Sequence, residues 1–315
     1  MFNKPDRQRS CWPAVSADPR YRDLLVIRNP AAGRRGGLFA RTLSRLHALG
    51  CQVEVRETAT RGDAEAWARD SGGAGYDVVV AAGGDGTVAE VINGLVAVTG
   101  APPLAILPLG TANVLAIETG LPADPMALAG VIAAGAARAI CLGRIRDQAG
   151  RRIYFSLMAG VGFDAHVVAG VSPGLKKALG KGAYAVESLR QLGAFRTPRY
   201  RVTVDGTAYE AASLIVANGR HYAGRYVCAP AAVIDDPVLH VCLFEKGGPV
   251  AVLRYMVALQ NGSLVRRSDY RIIPARHVTI TEPAGEPLQA DGDSVAALPV
   301  DIDVVPGVLR LVTPP

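Results

Sequence analysis

Several things are scarce in this chain of 315 residues. Aromatic residues make up 6% of it, and no basic run is interleaved with them, which disfavours nucleic acid as a partner. The five cysteines, Cys11, Cys51, Cys141, Cys228 and Cys242, are dispersed, odd in number and without metal-ligand spacing. That argues against a zinc module or a disulfide framework and for buried, reduced thiols in a cytoplasmic protein. No long apolar run is present either. The most apolar stretch, Met126 to Leu142, is rich in Ala and Gly and broken by Arg138, so it reads as a packed helix followed by a strand. The polar, proline-containing start, Met1 to Asp18, has no signal-peptide core, and residues 1–20 are expected to form a disordered leader. Any membrane contact is expected to be peripheral. No internal repeat is evident.

Standard nucleotide fingerprints are missing as well. Gly174 to Gly182 contains Gly-Lys-Gly, but its glycine spacing differs from a P-loop and no Ser or Thr follows Lys181. Gly160 to Ala165 matches G-x-G-x-x-A, yet it lies outside a βαβ context.

What is present is an ordinary globular composition, half apolar and 20% charged, with 35 glycines and a length that suggests about two domains. The net charge of +6 fits an anionic partner, a nucleotide or an acidic lipid surface. Strands are expected at Leu24–Ile27, Cys51–Glu57, Val78–Ala82 and Leu104–Leu107, with helices at Leu38–Leu49, at Asp63–Ser71 and from about Val88. That alternation predicts a parallel sheet wound with helices over residues 21–140. Beyond it, Ile153–Met158, Tyr200–Val204, Ala211–Ala217, Val238–Phe244, Tyr270–Pro274, His277–Thr281 and Val300–Val304 read as short strands between turns. Only Leu175–Leu192 and Val250–Leu264 look helical there. Residues 141–305 are therefore expected to form an antiparallel sandwich, with 306–315 returning to the first domain and a ligand cleft between the two.

Residues 78–94, Val-Val-Val-Ala-Ala-Gly-Gly-Asp-Gly-Thr-Val-Ala-Glu-Val-Ile-Asn-Gly, narrow the function most. A buried strand running through glycines into a helix N-terminus is an anion site, where backbone N–H groups and the helix dipole favour phosphate. Asp85 is the odd member, since a carboxylate repels phosphate unless Mg²⁺ or a proton network intervenes. Read alone, the turn is a tight connection with an Asp capping a helix. Two more Gly-, Asn- and Thr-rich turns follow strands, at 29–37 and 110–113, and turns at the carboxyl ends of parallel strands converge on one crevice. Late in the chain, Asp291-Gly292-Asp293 pairs two carboxylates across a glycine, which suits a general base with a helper or, equally, a hairpin turn.

These residues resemble the diacylglycerol kinase catalytic domain family, which includes bacterial soluble lipid kinases and the sphingosine and ceramide kinases. Gly83 to Thr87 with Glu90, Val91, Asn93 and Gly94 is similar to its GGDGT-x-x-E-V-x-N-G block. Asn29-Pro30, Pro108 to Asn113, Gly160 to Ala165, Ala217 to Gly219 with Ala229 to Ala231, and Asp291 to Asp293 resemble its other elements in consistent order over residues 22 to 312. The resemblance implies an α/β nucleotide domain like that of NAD kinase, a β-sandwich domain and a site between them. It also implies transfer of the ATP γ-phosphoryl group to a hydroxyl of a diacylglycerol-like lipid at a membrane surface, with Mg²⁺. Carried over, Asn29, Pro30, Gly83, Gly84, Asp85, Gly86, Thr87, Gly110, Thr111 and Asn113 bind ATP. Asp291 is the general base with Asp293 beside it, and Asp85 and Asp236 bear on metal; a homodimer is compatible.

Three departures stand out. Val114 replaces an acidic member of the metal-linked network, Pro237 takes the place of a glycine in the loop of Asp236, and Asp293 stands where Glu is common. Alternatives are a sphingoid-base or ceramide kinase, a catalytically silent binder of nucleotide or lipid, and, below these, a soluble NAD kinase. Lys176, Lys177, Lys181, Arg190, Arg196, Arg199 and Arg201 read as a solvated basic face that could also meet anionic headgroups. His166 and His221 read as structural.

Overall fold

The computed structural model describes residues 20–32, 36–170 and 198–314. The chain starts with β1 (Asp23–Arg28), α1 (Gly36–Ala48), β2 (Gln52–Glu57), α2 (Asp63–Asp70), β3 (Val78–Gly83), α3 (Asp85–Val96) and β4 (Leu104–Pro108). Strand β3 is buried throughout, and its alternating side chains enter two different cores. Val79 and Ala81 pack with Val91 and Leu95 of α3, whereas Val78, Val80 and Ala82 pack with Leu46 of α1 and with Leu128 and Ile132. A strand covered on both faces must be apolar at every position, which is what the Val-Val-Val-Ala-Ala run supplies. After α4 (Val114–Glu118), helix α5 (Pro125–Ala134) starts where Asp124 accepts from the amides of Met126 and Ala127, with proline at the first helical position.

The parallel strands lie in the order β2-β1-β3-β4. Because β2 and β3 flank β1 on opposite sides, the connections leave β1 and β3 in opposite directions and open a crevice at their carboxyl ends. Glycine and asparagine turns occupy that crevice.

The second half contributes β5 (Ala136–Asp147), β6 (Arg152–Phe155), β7 (Met158–Val161), α6 (Phe163–Gly170), β8 (Tyr200–Val204), β9 (Thr207–Ala211), β10 (Ser213–Ala217), β11 (His221–Tyr222), β12 (Tyr226–Val227) and β13 (Leu239–Phe244). It ends with α7 (Pro249–Gln260), β14 (Tyr270–Ala275), β15 (His277–Glu282), β16 (Pro287–Ala290), β17 (Asp293–Ala297) and β18 (Val300–Thr313). A six-stranded antiparallel sheet runs β14-β13-β10-β7-β16-β17. It packs face to face on β8, β15, β18 and β5 through Tyr200, Phe155, Ile280, Ile302, Val216, Leu243 and Leu288. The architecture is thus an α/β domain with a parallel sheet joined to an antiparallel two-sheet domain.

The two halves share one ten-stranded sheet, because β18 pairs antiparallel with β15 near its start and parallel with β4 near its end, at Leu311 and Leu104. Strand β5 follows β18 from Val300 opposite Asp147 to Thr313 opposite Ala136, with a bulge between Val305 and Leu309. The expected strand Val300–Val304 therefore continues through Pro306-Gly307, where the bulge absorbs a proline that a regular ladder cannot use.

Other local expectations shift for physical reasons. Ile153–Met158 is two strands in different sheets, broken at Ser156-Leu157 where the amides turn toward Asp291. The helix after the Gly-Gly turn starts at Asp85 rather than near Val88. The expected helix Val250–Leu264 stops at Gln260, before Gly262 with its φ of +71°. Leu175–Leu192, the Gly174–Gly182 segment, and Lys176, Lys177, Lys181, Arg190 and Arg196 lie outside the described residues. Among the described residues, Cys51, Cys141, Cys228 and Cys242 are buried free thiols, and no helix is long and apolar enough to cross a membrane.

Candidate active site

The three turns meet. Asn29 donates from Nδ2 to Thr87 Oγ1 at 3.3 Å and takes the Ala31 amide on Oδ1 at 2.9 Å, so the first turn is fixed against the second. The second and third turns touch through glycine backbones. A Cβ on Gly110 would clash with Gly84 Cα and lie 2.7 Å from Asn113 Oδ1, and one on Gly83 would collide with Thr87. Glycine is required here for close approach of backbones rather than for a special φ. Pro30 and Thr111 are exposed at the rim of this cradle.

Asp85, at the N-terminus of α3, points its carboxylate into the third turn. Oδ2 accepts from the Asn113 amide at 2.8 Å and Oδ1 from the Val114 amide at 2.6 Å. Asn113 has a φ of 50°, in the left-handed region that asparagine tolerates, and α4 begins on the next residue. Asp85 thus caps a helix from 28 residues upstream. Burial pushes its carboxyl above the usual range, the two amides oppose that, and the charge of Asp291 adds to it. Whatever the side chain at position 114, its backbone N–H holds Asp85 in place.

The β16–β17 hairpin brings two more carboxylates, those of Asp291 and Asp293. Asp291 and Gly292 have φ of 45° and 87°, the conformation of a two-residue turn whose twist suits a hairpin. Asp291 Oδ2 accepts from the Ser156 amide (2.7 Å) and hydroxyl (2.8 Å), and Oδ1 from the amides of Leu157 and Met158 (3.0 Å each). Burial pushes the Asp291 carboxyl up and these donors pull it down, with the upward direction winning. Asp293 Oδ2 would lie 3.1 Å from a Cβ on Gly86, so the hairpin leans directly over the phosphate-type turn. Asp293 is 31% exposed and sits 3.8 Å from Arg61. The hairpin reading and the active-site reading of Asp291-Gly292-Asp293 are therefore compatible.

Asp236 is placed elsewhere. It lies in an exposed turn before β13, and its charge bears on Cys141 and His240. Among the described residues no group of three or more His, Cys, Asp and Glu side chains is arranged to hold a metal.

Supporting residues emerge that function-minded reading of the motifs missed. Asn93 donates to the Tyr154 carbonyl and accepts from the Tyr154 amide, both at 2.9 Å, so the motif's asparagine clamps α3 to β6. Asn218 donates to the carbonyls of Cys141 (2.9 Å) and Ser156 (2.7 Å), fixing the turn that Asp291 caps. Asp164 accepts from Gln289 Nε2 at 2.8 Å and from the Tyr222 hydroxyl, while Gln289 Oε1 takes the Gly292 amide at 3.0 Å. Burial raises the Asp164 carboxyl. Glu118, its side chain 4% exposed, accepts from His221 (ring and amide) and from the Arg220 amide, and His166 pairs with Glu286. The signal for the first two was in the Glu-Val-Ile-Asn-Gly and Ala-Asn-Gly stretches; Gln289 and Glu118 had none.

A cradle of glycine turns faced by a half-buried carboxylate hairpin is an arrangement suited to holding phosphate. Comparison with known proteins gives the class, a lipid kinase. Residues 23–145 match the diacylglycerol kinase catalytic domain and residues 158–313 the YegS C-terminal NAD kinase beta sandwich-like domain. The chain is 31% identical over 305 residues to the "Probable lipid kinase YegS-like" of Stenotrophomonas maltophilia, covering 94% of this chain and 96% of that protein. It is 30% identical over 297 residues to the "Diacylglycerol kinase" of Mycobacterium tuberculosis, covering 92% and 95%. A diacylglycerol kinase structure from Bacillus anthracis str. Sterne shares the fold, with a TM-score of 0.70 and 21% identity over 94% of this chain and 98% of that one. The chain belongs to the YegS and diacylglycerol kinase family of lipid kinases.

Proposed function

We propose that this protein transfers the γ-phosphoryl group of ATP to the hydroxyl of a diacylglycerol-like lipid, in the crevice between its two domains. The observation that carries this reading is the approach of Asp293 and Asp291 to the turn Gly83–Thr87, which sets carboxylates against a phosphate-type cradle. Gly83 to Thr87, Asn29, Pro30, Gly110, Thr111 and Asn113 would surround the nucleotide, whose phosphates meet backbone N–H groups and the N-terminus of α3. Phosphoryl transfer needs little covalent help, so positioning of donor and acceptor supplies most of the rate.

The donor set fits a magnesium ion. Asp85 and Asp291 are both half-buried, desolvation pushes both carboxyls up, and the charge of Asp291 is among the causes at Asp85, a repulsion that a cation relieves. Asp85 would hold the ion together with phosphate oxygens, since Mg²⁺ in such sites takes only one or two carboxylates from the protein. When bound, the ion neutralises phosphate charge.

Asp291 would take the proton of the lipid hydroxyl. Its environment makes it a stronger base than a solvated Asp, because burial outweighs its donors. Of those donors only the Ser156 hydroxyl can turn away, and a substrate hydroxyl fits the place it leaves. The four bonds at Asp291 also favour a second reading, in which Asp291 fixes the turn and Asp293 takes the proton. ATP turnover with dispersed diacylglycerol, ceramide and sphingoid base, comparing Asp291→Asn, Asp293→Asn and Ser156→Ala, tests both. We expect kcat to fall roughly 10²–10⁴-fold in Asp291→Asn, with less effect in the other two. No turnover by the parent protein with any lipid would refute the function, and a larger loss in Asp293→Asn would select the second reading.

A further inference from the structure

Helix α7 leaves an apolar stripe in water. Its residues Tyr255 and Ala258 are buried against the antiparallel sheet, where Tyr255 packs edge-on to Phe244. The opposite side presents Val250, Leu253 and Val257, at 64%, 55% and 51% exposure, and Val265 follows in the next turn at 46%. The spacing i, i+3, i+7 puts the three helical residues on one face. Seven large hydrophobic side chains are exposed among the described residues, and five of them, these four and Tyr226 on the neighbouring β12, belong to this one region. Scattered exposed apolar residues need no explanation, whereas a contiguous group marks a contact surface.

The charge around the stripe says what kind of surface it meets. Residues 245–271 contain Lys246, Arg254, Arg266, Arg267 and Arg271 against Glu245 and Asp269. Both carboxylates are taken, Asp269 by Arg267 at 2.8 Å and Glu245 by Arg271 at 3.1 Å. Arg254 and Arg266 remain exposed with no ion pair among the described residues. Beside Val250 lies a cleft of about 480 Å³ lined by Arg199, Lys246 and Arg254 together with Glu245 and Asp269. Arg199, a member of the sequence's basic stretch, donates to the Glu245 carbonyl at 2.9 Å and so joins this patch. Branched aliphatic side chains beside an excess of cations, including Arg254 and Arg266 with no ion pair among the described residues, match the acyl boundary and acidic headgroups of a bilayer.

We propose that the exposed face of α7, with Val265 and the cations around it, docks the protein on a membrane of anionic phospholipid. This deepens the lipid-kinase reading and rests on it, because it supplies the surface from which the acceptor would be drawn. Tyr255 of α7 and Met158, whose amide donates to Asp291, lie in the same buried cluster.

The test is co-sedimentation with vesicles of phosphatidylcholine alone and of equal parts phosphatidylcholine and phosphatidylglycerol. It uses the parent protein, Leu253→Ser/Val257→Ser and Arg254→Glu/Arg266→Glu, with melting curves to show that the variants fold. The expected results are parent binding to the mixed vesicles, weakened by salt, and a loss of about tenfold or more in the serine variant. The Glu variant should lose at least fivefold for each cation removed, the effect of about 1 kcal/mol per charge near such a surface. Binding by either variant equal to the parent's would overturn the proposal. So would a parent dimer in lipid-free solution that the serine variant dissociates, because the stripe would then belong to a second copy. Vesicle binding that follows the expected pattern, without turnover on any lipid, would uphold the docking face and remove the kinase reading alone.

Discussion

Exchange of Asp164 for asparagine tests how the half-buried network behind the β16–β17 hairpin works. The carboxylate accepts from the Tyr222 hydroxyl on one oxygen and from Gln289 Nε2 at 2.8 Å on the other. An asparagine keeps the first bond but turns its own NH₂ group on the NH₂ of Gln289. Gln289 cannot rotate to repair this, because its Oε1 holds the Gly292 amide next to Asp291. Leaving the buried Gln289 amide without this acceptor costs about 1–3 kcal/mol. Working against that cost, burial has raised the Asp164 carboxyl, so the folded protein binds this proton more tightly than the unfolded chain does. The stability contributed by Asp164 is then complete below its unfolded pKa of about 3.9 and declines as pH rises toward the folded value, whereas asparagine has no such slope. The gap in unfolding free energy between parent and Asp164→Asn should therefore narrow from about pH 4.5 upward, as measured by urea unfolding at a series of pH values. A gap that widens with pH would refute the reasoning. It would show that the donors at Asp164 outweigh its burial.

Two further outcomes are expected. Asn93→Ala removes both bonds to the Tyr154 backbone and should cost about 2–4 kcal/mol, seen as a lower urea midpoint; an unchanged midpoint would mean that α3 and β6 hold together without the clamp. Gly110→Ala forces the Gly84 and Gly110 turns apart, since the obstacle is backbone; it should lose about 1–3 kcal/mol of stability and at least tenfold in ATP affinity, and wild-type nucleotide binding by calorimetry would contradict the cradle.

The parallel half was legible because its signal is local. An unbroken apolar run such as Val78–Ala82 can satisfy only a strand covered on both faces, and a Gly-Gly turn ahead of a helix is readable without knowing what packs on it. The same holds for the glycines of the cradle and for the Asp291-Gly292 hairpin, whose turn chemistry is written in adjacent residues. Tertiary contact decided what those residues do. Asp85 looked like a carboxylate misplaced among phosphates; its partners, the amides of Asn113 and Val114, are 28 and 29 residues away and no spacing rule connects them. The motif's Asn93 turned out to hold a strand of the other half, and Gln289, silent in the sequence, ties Asp164 to the Asp291-Gly292 hairpin. The stripe on α7 was legible as a helix but not as an exposed face, because periodicity shows that a helix has an apolar side without showing whether anything covers it. Sequence by itself determined the strands, the turns and the residue types that chemistry needs. The fold decided which carboxylates face each other, a matter of residues as far apart as Asp85 and Asp291, and which apolar side meets solvent, a matter of where the antiparallel sheet covers α7.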